Sequence, residues 1–190
     1  MHMPKQLPRC AWVTSDPLYL KYHDEEWGRP VYDDQRLFEQ LVLEGAQAGL
    51  SWLTILKRRH HYRRVFRDYD LPTLAAFSVQ DIDTAMQDAG IIRNRKKVES
   101  VVNNAACYAK VQAEFGSFRS YVWGFVGGVP THNQFHSQAD VPAQTAISEA
   151  LALDLKKRGF KFVGPIGMYA FMQSVGMVND HLISCHCHEG

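Results

Sequence analysis

The sequence predicts an all-α domain, and three observations lead there. Apolar residues recur at helical spacing along nearly the whole chain. Capping residues stand ahead of the periodic runs, with glycine stops behind several of them. No segment alternates apolar and polar residues convincingly enough for a strand, and no internal repeat is present. With 190 residues, 46% hydrophobic and 12% aromatic, the chain can bury one sizeable core, so residues 1–190 are expected to form a single domain.

The elements follow in order. Asp33-Asp34 caps a run of Leu37, Phe38, Leu41, Val42 and Leu43 that reaches about Ala48 and yields at Gly49. Ser51 caps a second helix from Trp52 to about Phe66, rich in basic residues. Asp70-Leu71-Pro72 punctuates the chain. Ser78 opens a shorter helix with Ile82, Ala85 and Met86, which Gly90 stops. Asn94 opens a long helix through Val98, Val101, Val102, Ala105 and Tyr108 to about Phe115. Another runs from about Ser117 to Phe125. Gly127 to Pro142 turns to Gly, Pro, Thr, His, Gln and Asn and reads as an exposed loop. Helices resume at about Gln144–Arg158 and Ile166–Val175, with Gly159 and Gly176 as stops. The stop signals imply roughly eight to ten short helices.

A net charge of +1 gives no global argument for nucleic acid or membrane. Met1–Arg9 holds two prolines and lacks the apolar core of an export leader. The longest apolar stretch, Leu41–Leu56, is broken by Glu44, Gln47 and Ser51 and is too short and polar to span a bilayer. A cytosolic protein with no membrane partner is expected. In that compartment the four cysteines read as reduced thiols or metal ligands.

Cys10 and His23 near the start, with His181 and Cys185 near the end, are candidate metal ligands. Two thiolates and two imidazoles suit zinc. A closed four-ligand site is structural, because a catalytic zinc keeps one position open for water. It would join the terminal segments. The tail His181-Leu-Ile-Ser-Cys-His-Cys-His188 leaves Cys187, His186 or His188 as replacements for Cys185. A Cys10–Cys185 disulfide is the alternative that a reducing compartment disfavours. Cys107, inside an apolar stripe, reads as a buried thiol.

Two further features carry chemistry. Met86 to Lys97 joins two helices through a glycine turn, as in a helix-hairpin-helix motif spanning about 79–107. Arg93, Arg95, Lys96 and Lys97 open the second helix, where backbone amides and cations make a phosphate site. Ile92 stands where the usual hairpin has a second glycine. Other basic clusters exist at Lys57–Arg67 and Lys156–Lys161, and either could be only a charged helix face. Glu44 shares a helical stripe with Leu37, Leu41 and Ala48, so it needs either an ion-pair partner or a task. Trp12, Tyr19, Tyr22, Trp27 and Trp52 could wall a pocket for a flat, electron-poor or cationic ligand around it.

Blocks along the whole chain carry a resemblance. Cys10-Ala-Trp-Val13, Asp16-Pro-Leu-Tyr19, Tyr22-His-Asp-Glu-Glu-Trp-Gly28 and Leu43-Glu-Gly-Ala-Gln-Ala-Gly-Leu-Ser-Trp52 resemble the 3-methyladenine-DNA glycosylase I family. So do Asp88-Ala-Gly-Ile-Ile-Arg93, Lys157-Arg-Gly-Phe-Lys-Phe-Val-Gly164 and Val178-Asn-Asp-His181. The resemblance implies a bacterial repair enzyme of the helix-hairpin-helix glycosylase superfamily. Such an enzyme excises 3-methyladenine from alkylated double-stranded DNA, with structural zinc and no redox or nucleotide cofactor. Free 3-methyladenine is the product, and a monomer suffices. By position it implies that Glu44 hydrogen-bonds the extruded base, Trp52 stacks on it and Tyr22 contacts it. Trp12, Tyr19 and Trp27 complete the pocket. Leu50, beside Gly49, fills the gap left in the duplex, and Gly90, Ile92, Arg93 and Lys97 grip phosphate. The zinc ligands are Cys10, His23, His181 and Cys185. The catalytic aspartate of many superfamily relatives is missing from Asn94–Ser117.

Two competing readings make different predictions. A DNA-binding module without chemistry would bind DNA and release no base. A zinc hydrolase, with Glu44 as base, would lose activity but keep its fold when metal is stripped; two histidines and two thiolates fill the shell and argue against it.

Overall fold

The computed structural model describes residues 7–189. Residues 1–6, part of the segment read as lacking a leader's core, and Gly190 lie outside the described residues. Among the described residues are nine α-helices: α1 (Pro17–Glu25), α2 (Asp34–Gln47), α3 (Trp52–Val65), α4 (Leu71–Ala75), α5 (Val79–Gln87), α6 (Arg95–Phe115), α7 (Phe118–Gly124), α8 (Ala146–Lys157) and α9 (Pro165–Ser174). No helix among them is long and apolar enough to cross a membrane.

Local chemistry sets the starts. Asp33, Ser51, Ser78, Asn94, Ser117 and Thr145 each accept a backbone N–H of the first turn that follows, which satisfies an otherwise orphaned donor. α1 and α4 were not expected as helices. Both begin with aspartate followed by an early proline, an arrangement that fits N-cap and first-turn preferences.

α2 is the centre of the bundle. It packs against α3, α6, α7 and α9, and its Leu37, Phe38, Leu41 and Leu43 are buried. Its first turn is tied to α7: Asp34 accepts from Phe118 N (2.9 Å), Arg119 N (2.8 Å) and Gln112 Nε2 (2.7 Å). A carboxylate at those helix-start amides is favourable. At the far side, Gly176 has φ +69°, and a Cβ there would lie 2.3 Å from the Arg29 backbone carbon. Only glycine lets the α9 exit pass that close to the 29–30 turn.

The loop read as exposed is exposed, yet it is pinned. Thr131–His132 (β1) pairs in parallel with Val178–Asn179 (β2). Two residues per strand cannot show a period of two, so no alternation marks them. The pair seats the loop beside the segment carrying His181.

The Lys57–Arg67 cluster is mostly paired, and in Lys156–Lys161 only Arg158 is, among the described residues. Lys57 binds Asp16 (2.7 Å), Arg59 chelates Glu26, Arg63 chelates Glu39, and Arg64 reaches Asp88 (2.6 Å). Arg158 binds Glu114 and Asp154. The paired residues knit elements together.

Candidate active site and metal cluster

α1, α2 and α3 bring the aromatic residues around one acid. Glu44, 7% exposed, lines a cavity of about 170 Å³ together with Trp12, Tyr19, Tyr22, Trp27 and Trp52. A dry cavity of about 150 Å³ accepts a benzene-sized guest, so this space suits one small planar molecule. Trp12 packs on Tyr19 at 5.1 Å and edge-on to Trp27 at 5.0 Å; Tyr22 and Trp52 lie 5.5 Å apart. Trp52 Nε1 is buried with no hydrogen-bond partner among the described residues. A buried donor left open is an unusual feature that a polar guest would satisfy.

The acid does not sit there as an ordinary carboxylate. Burial pushes Glu44 up to about 8, and the neighbouring Ser174 hydroxyl offsets only part of that. The free protein therefore holds it mainly protonated at neutral pH. The Tyr22 phenol is also raised, first by its own burial and then by Glu44, so it stays a hydrogen-bond donor.

Four pocket residues escaped the sequence reading: Gln47, Gln138, Ala170 and Gln173. They come from the end of α2, the 127–142 loop and α9. Gln173 Nε2 donates to the buried Asp180 (2.8 Å), which also accepts from Tyr169 Oη (2.6 Å). Nothing local distinguishes such glutamines from surface ones.

Beneath the aromatic wall lie the four proposed metal ligands, all buried. Cys185 Sγ is 3.5 Å from His23 Nε2 and 3.5 Å from His181 Nδ1, and Cys10 Sγ is 3.7 Å from His181 Nδ1. Zinc bonds of about 2.3 Å to sulfur and 2.0–2.1 Å to nitrogen, at tetrahedral angles, imply S···N separations of about 3.6 Å. The group could hold a metal on that geometry. The other imidazole nitrogens are oriented: His23 Nδ1 donates to Asp24 (2.7 Å) and His181 Nε2 to Trp27 O (3.1 Å). Such partners fix a ligand's tautomer. Arg9 holds the Asp24 carboxyl well below the usual range. Cys187 groups instead with His23, Asp24 and His186. His181 and Cys185 sit in a tight loop, not on a helix, and Cys10 and Cys185 are free thiols.

The hairpin between α5 and α6 docks on α3. A Cβ at Gly90 would lie 2.2 Å from the His61 ring, so glycine permits the contact. Gly90 N donates to Asp88 Oδ1 (2.7 Å), and Ile92 N to Tyr62 Oη (3.2 Å). Two amides expected to face phosphate are thus engaged inside the protein. Lys97 also differs from expectation. Its Nζ donates to Ala46 O (2.8 Å) and Ala48 O (2.9 Å), capping the C-terminal end of α2. Cations are favoured at that end of a helix. Arg93 remains exposed. Leu50, just past Gly49, is 39% exposed.

Fold and site together define a mostly helical protein with an acid-bearing aromatic pocket beside a Cys/His cluster that could hold a metal. The chain belongs to the methyladenine glycosylase family, whose model matches residues 12–188. It is 46% identical over 184 residues to DNA-3-methyladenine glycosylase 1 of Escherichia coli (strain K12), covering 97% of this chain and 98% of that one. A crystal structure of a 3-methyladenine DNA glycosylase I matches with TM-score 0.94 at 47% identity, over 96% of this chain and all of that one. The Staphylococcus aureus glycosylase I, solved to show its recognition of 3-methyladenine, matches with TM-score 0.93 at 40% identity, over 96% and 97%.

Proposed function

We propose that this protein is a DNA repair glycosylase of the helix-hairpin-helix superfamily that flips 3-methyladenine out of alkylated duplex DNA and hydrolyses its N-glycosidic bond. One observation carries the reading: a buried Glu44 facing a small cavity walled by tryptophan and tyrosine. Flipping costs a few kcal/mol and delivers the base into a pocket. Methylation at N3 makes the adenine cationic. The C1′–N9 electron pair leaves with the base and neutralises it, so no proton donor is required. Water adds to C1′ and gives its proton to solvent, leaving an abasic site. The pocket selects and holds: Trp52 stacks, Tyr22 contacts the base, and Trp12, Tyr19 and Trp27 complete the walls.

Glu44 is the charge partner. A cation beside it lowers the cost of ionising, so base entry converts the neutral carboxyl to carboxylate, with its proton released to solvent. The fixed group then meets charge without reorganisation.

Zinc is the metal we assign to Cys10, His23, His181 and Cys185. It supplies a structural cross-link between the terminal segments of a single domain and takes no part in hydrolysis. Leu50 fills the gap in the duplex, and Gly49, Gly90, Ile92 and Arg93 shape the DNA-facing surface. Lys97 acts from behind, holding the α2 end. The enzyme works as a monomer in the bacterial cytosol.

Incubation with methylated duplex DNA, followed by chromatography of the released bases, tests this. Free 3-methyladenine is expected. DNA binding without release would leave only a binding module.

A further inference from the structure

Phe162 stands in a conformation that its chemistry does not favour. Its φ is +56°, in the left-handed region, and the residue is 40% exposed. A left-handed backbone is costly for a side chain with a Cβ, and an exposed ring returns little of that cost. Outside residues 67–69, it is the one non-glycine residue with positive φ among the described residues.

The segment is held there. Asn104 donates to Lys161 O (3.0 Å) and accepts from Lys161 N (2.8 Å), clamping both faces of that backbone. Asn103 donates to Gly159 O (2.9 Å). The reciprocal Asn104 clamp on Lys161 and the Asn103 contact at Gly159 both lie just before Phe162 and fix how the chain enters the strained residue.

The ring's location is specific. A Cβ on Gly45 would lie 3.3 Å from Phe162 Cβ, so Phe162 rides on α2 one residue beyond Glu44. Gly45 is in the last turn of α2, which ends at Gln47 and leads into Gly49 and Leu50. Phe162 also borders an open groove of about 380 Å³ with Lys96, Lys161, Glu99, Ser100 and Asn103. Glu99 is engaged with Arg95 (3.4 Å), whereas Lys96 and Lys161 have no ion-pair partner among the described residues. An apolar ring sharing a groove with two open cations, against the last turn of α2 that leads to Leu50, complements a nucleic-acid strand, whose bases stack and whose phosphates are anionic.

We propose that Phe162, with Lys96 and Lys161, is a second duplex-binding element: the ring packs against bases left exposed when the lesion leaves the stack, and the lysines hold neighbouring phosphates. The proposal rests on the glycosylase reading above and extends it to the DNA beyond the flipped base.

The test uses full-length protein and a duplex carrying an uncleavable tetrahydrofuran abasic site. Phe162→Gly should weaken binding about tenfold, the loss of one base–aromatic contact. Its melting temperature should equal or exceed that of the parent, because glycine takes φ > 0 without strain. Affinity for free 3-methyladenine should not change, since Phe162 does not line that pocket. Replacing Lys96 and Lys161 together by Gln should make the salt dependence of abasic-duplex binding shallower by about two ions. Parental affinity in Phe162→Gly, or a parental salt slope in the lysine pair, overturns the proposal. So does a lowered melting temperature with matching loss of free-base binding, which marks a structural residue. Failure of the parent to release 3-methyladenine would instead sink the glycosylase reading, so the two failures are distinguishable.

Discussion

Glu44→Gln removes a charge from a place where burial disfavours charge, and it keeps the size of the side chain. An unfolded glutamate titrates near 4.5, whereas burial raises Glu44 to about 8 in the folded protein. For an acid raised on folding, the associated stability is complete below the unfolded value and falls as pH rises toward the folded one. Each pH unit in that window costs about 1.4 kcal/mol, so about 3 kcal/mol is gone at pH 7 and about 5 kcal/mol above pH 8. Glutamine escapes this loss. At a few degrees per kcal/mol for a chain of this length, the variant should melt about 10 °C or more above the parent at pH 8.5. The gap should narrow toward pH 5. The same substitution removes a charge-assisted contact to the cationic base, about 1.5–3 kcal/mol, so excision should slow by about ten- to a hundredfold. Calorimetry across pH and single-turnover release of 3-methyladenine read the two effects. Parallel melting curves at every pH would show that the free protein does not desolvate this carboxyl. Unchanged excision would remove Glu44 from the mechanism.

Excision at limiting DNA should rise with pH from 6 to 8 in the parent as Glu44 ionises, and stay flat in Glu44→Gln; a flat parental profile would deny the acid its role. Cys185→Ser should lose bound zinc and several kcal/mol of stability, while Cys187→Ser keeps both. Metal analysis with thermal melts decides, and the reverse pattern would move the ligand to Cys187. Lys97→Ala should cost about 1.5–3 kcal/mol by uncapping Ala46 O and Ala48 O, with the DNA salt slope unchanged. A slope shallower by about one ion would return that ammonium to phosphate.

The sequence was most legible where signals are local. Asp33, Ser51, Asn94 and Ser117 announce their helices because a cap acts on amides only two or three residues away. Glu44 was legible because a charge inside an apolar stripe is anomalous at any tertiary arrangement. α1 was missed although Asp16-Pro17 heads it, because its buried residues, Tyr22 and His23, are polar-tipped and leave no apolar stripe. The helix-capping contacts of Lys97 were hidden for a different reason. A cation at a helix start suits phosphate, but the carbonyls it binds come from 49 and 51 residues earlier, which no local pattern reveals. The ionisation of Glu44 was equally invisible, since it depends on how completely the rings exclude water.

α1 also shows why metal and pocket are not independent. Tyr22 and His23 are consecutive, and neighbours on a helix diverge by about 100°, so one side chain enters the pocket as the next enters the cysteine cluster. Trp27 repeats the arrangement: its ring meets His181 edge-on at 4.7 Å, and its carbonyl accepts from the same imidazole. A metal that fixes His23 and His181 therefore fixes two walls of the base pocket. Removing it should loosen the grip on 3-methyladenine even where α2, and Glu44 with it, stays folded. Loss of activity on chelation is then no evidence for a metal-bound nucleophile. The discriminating quantity is the affinity for free base, which a catalytic metal would leave nearly untouched and a bracing metal would not.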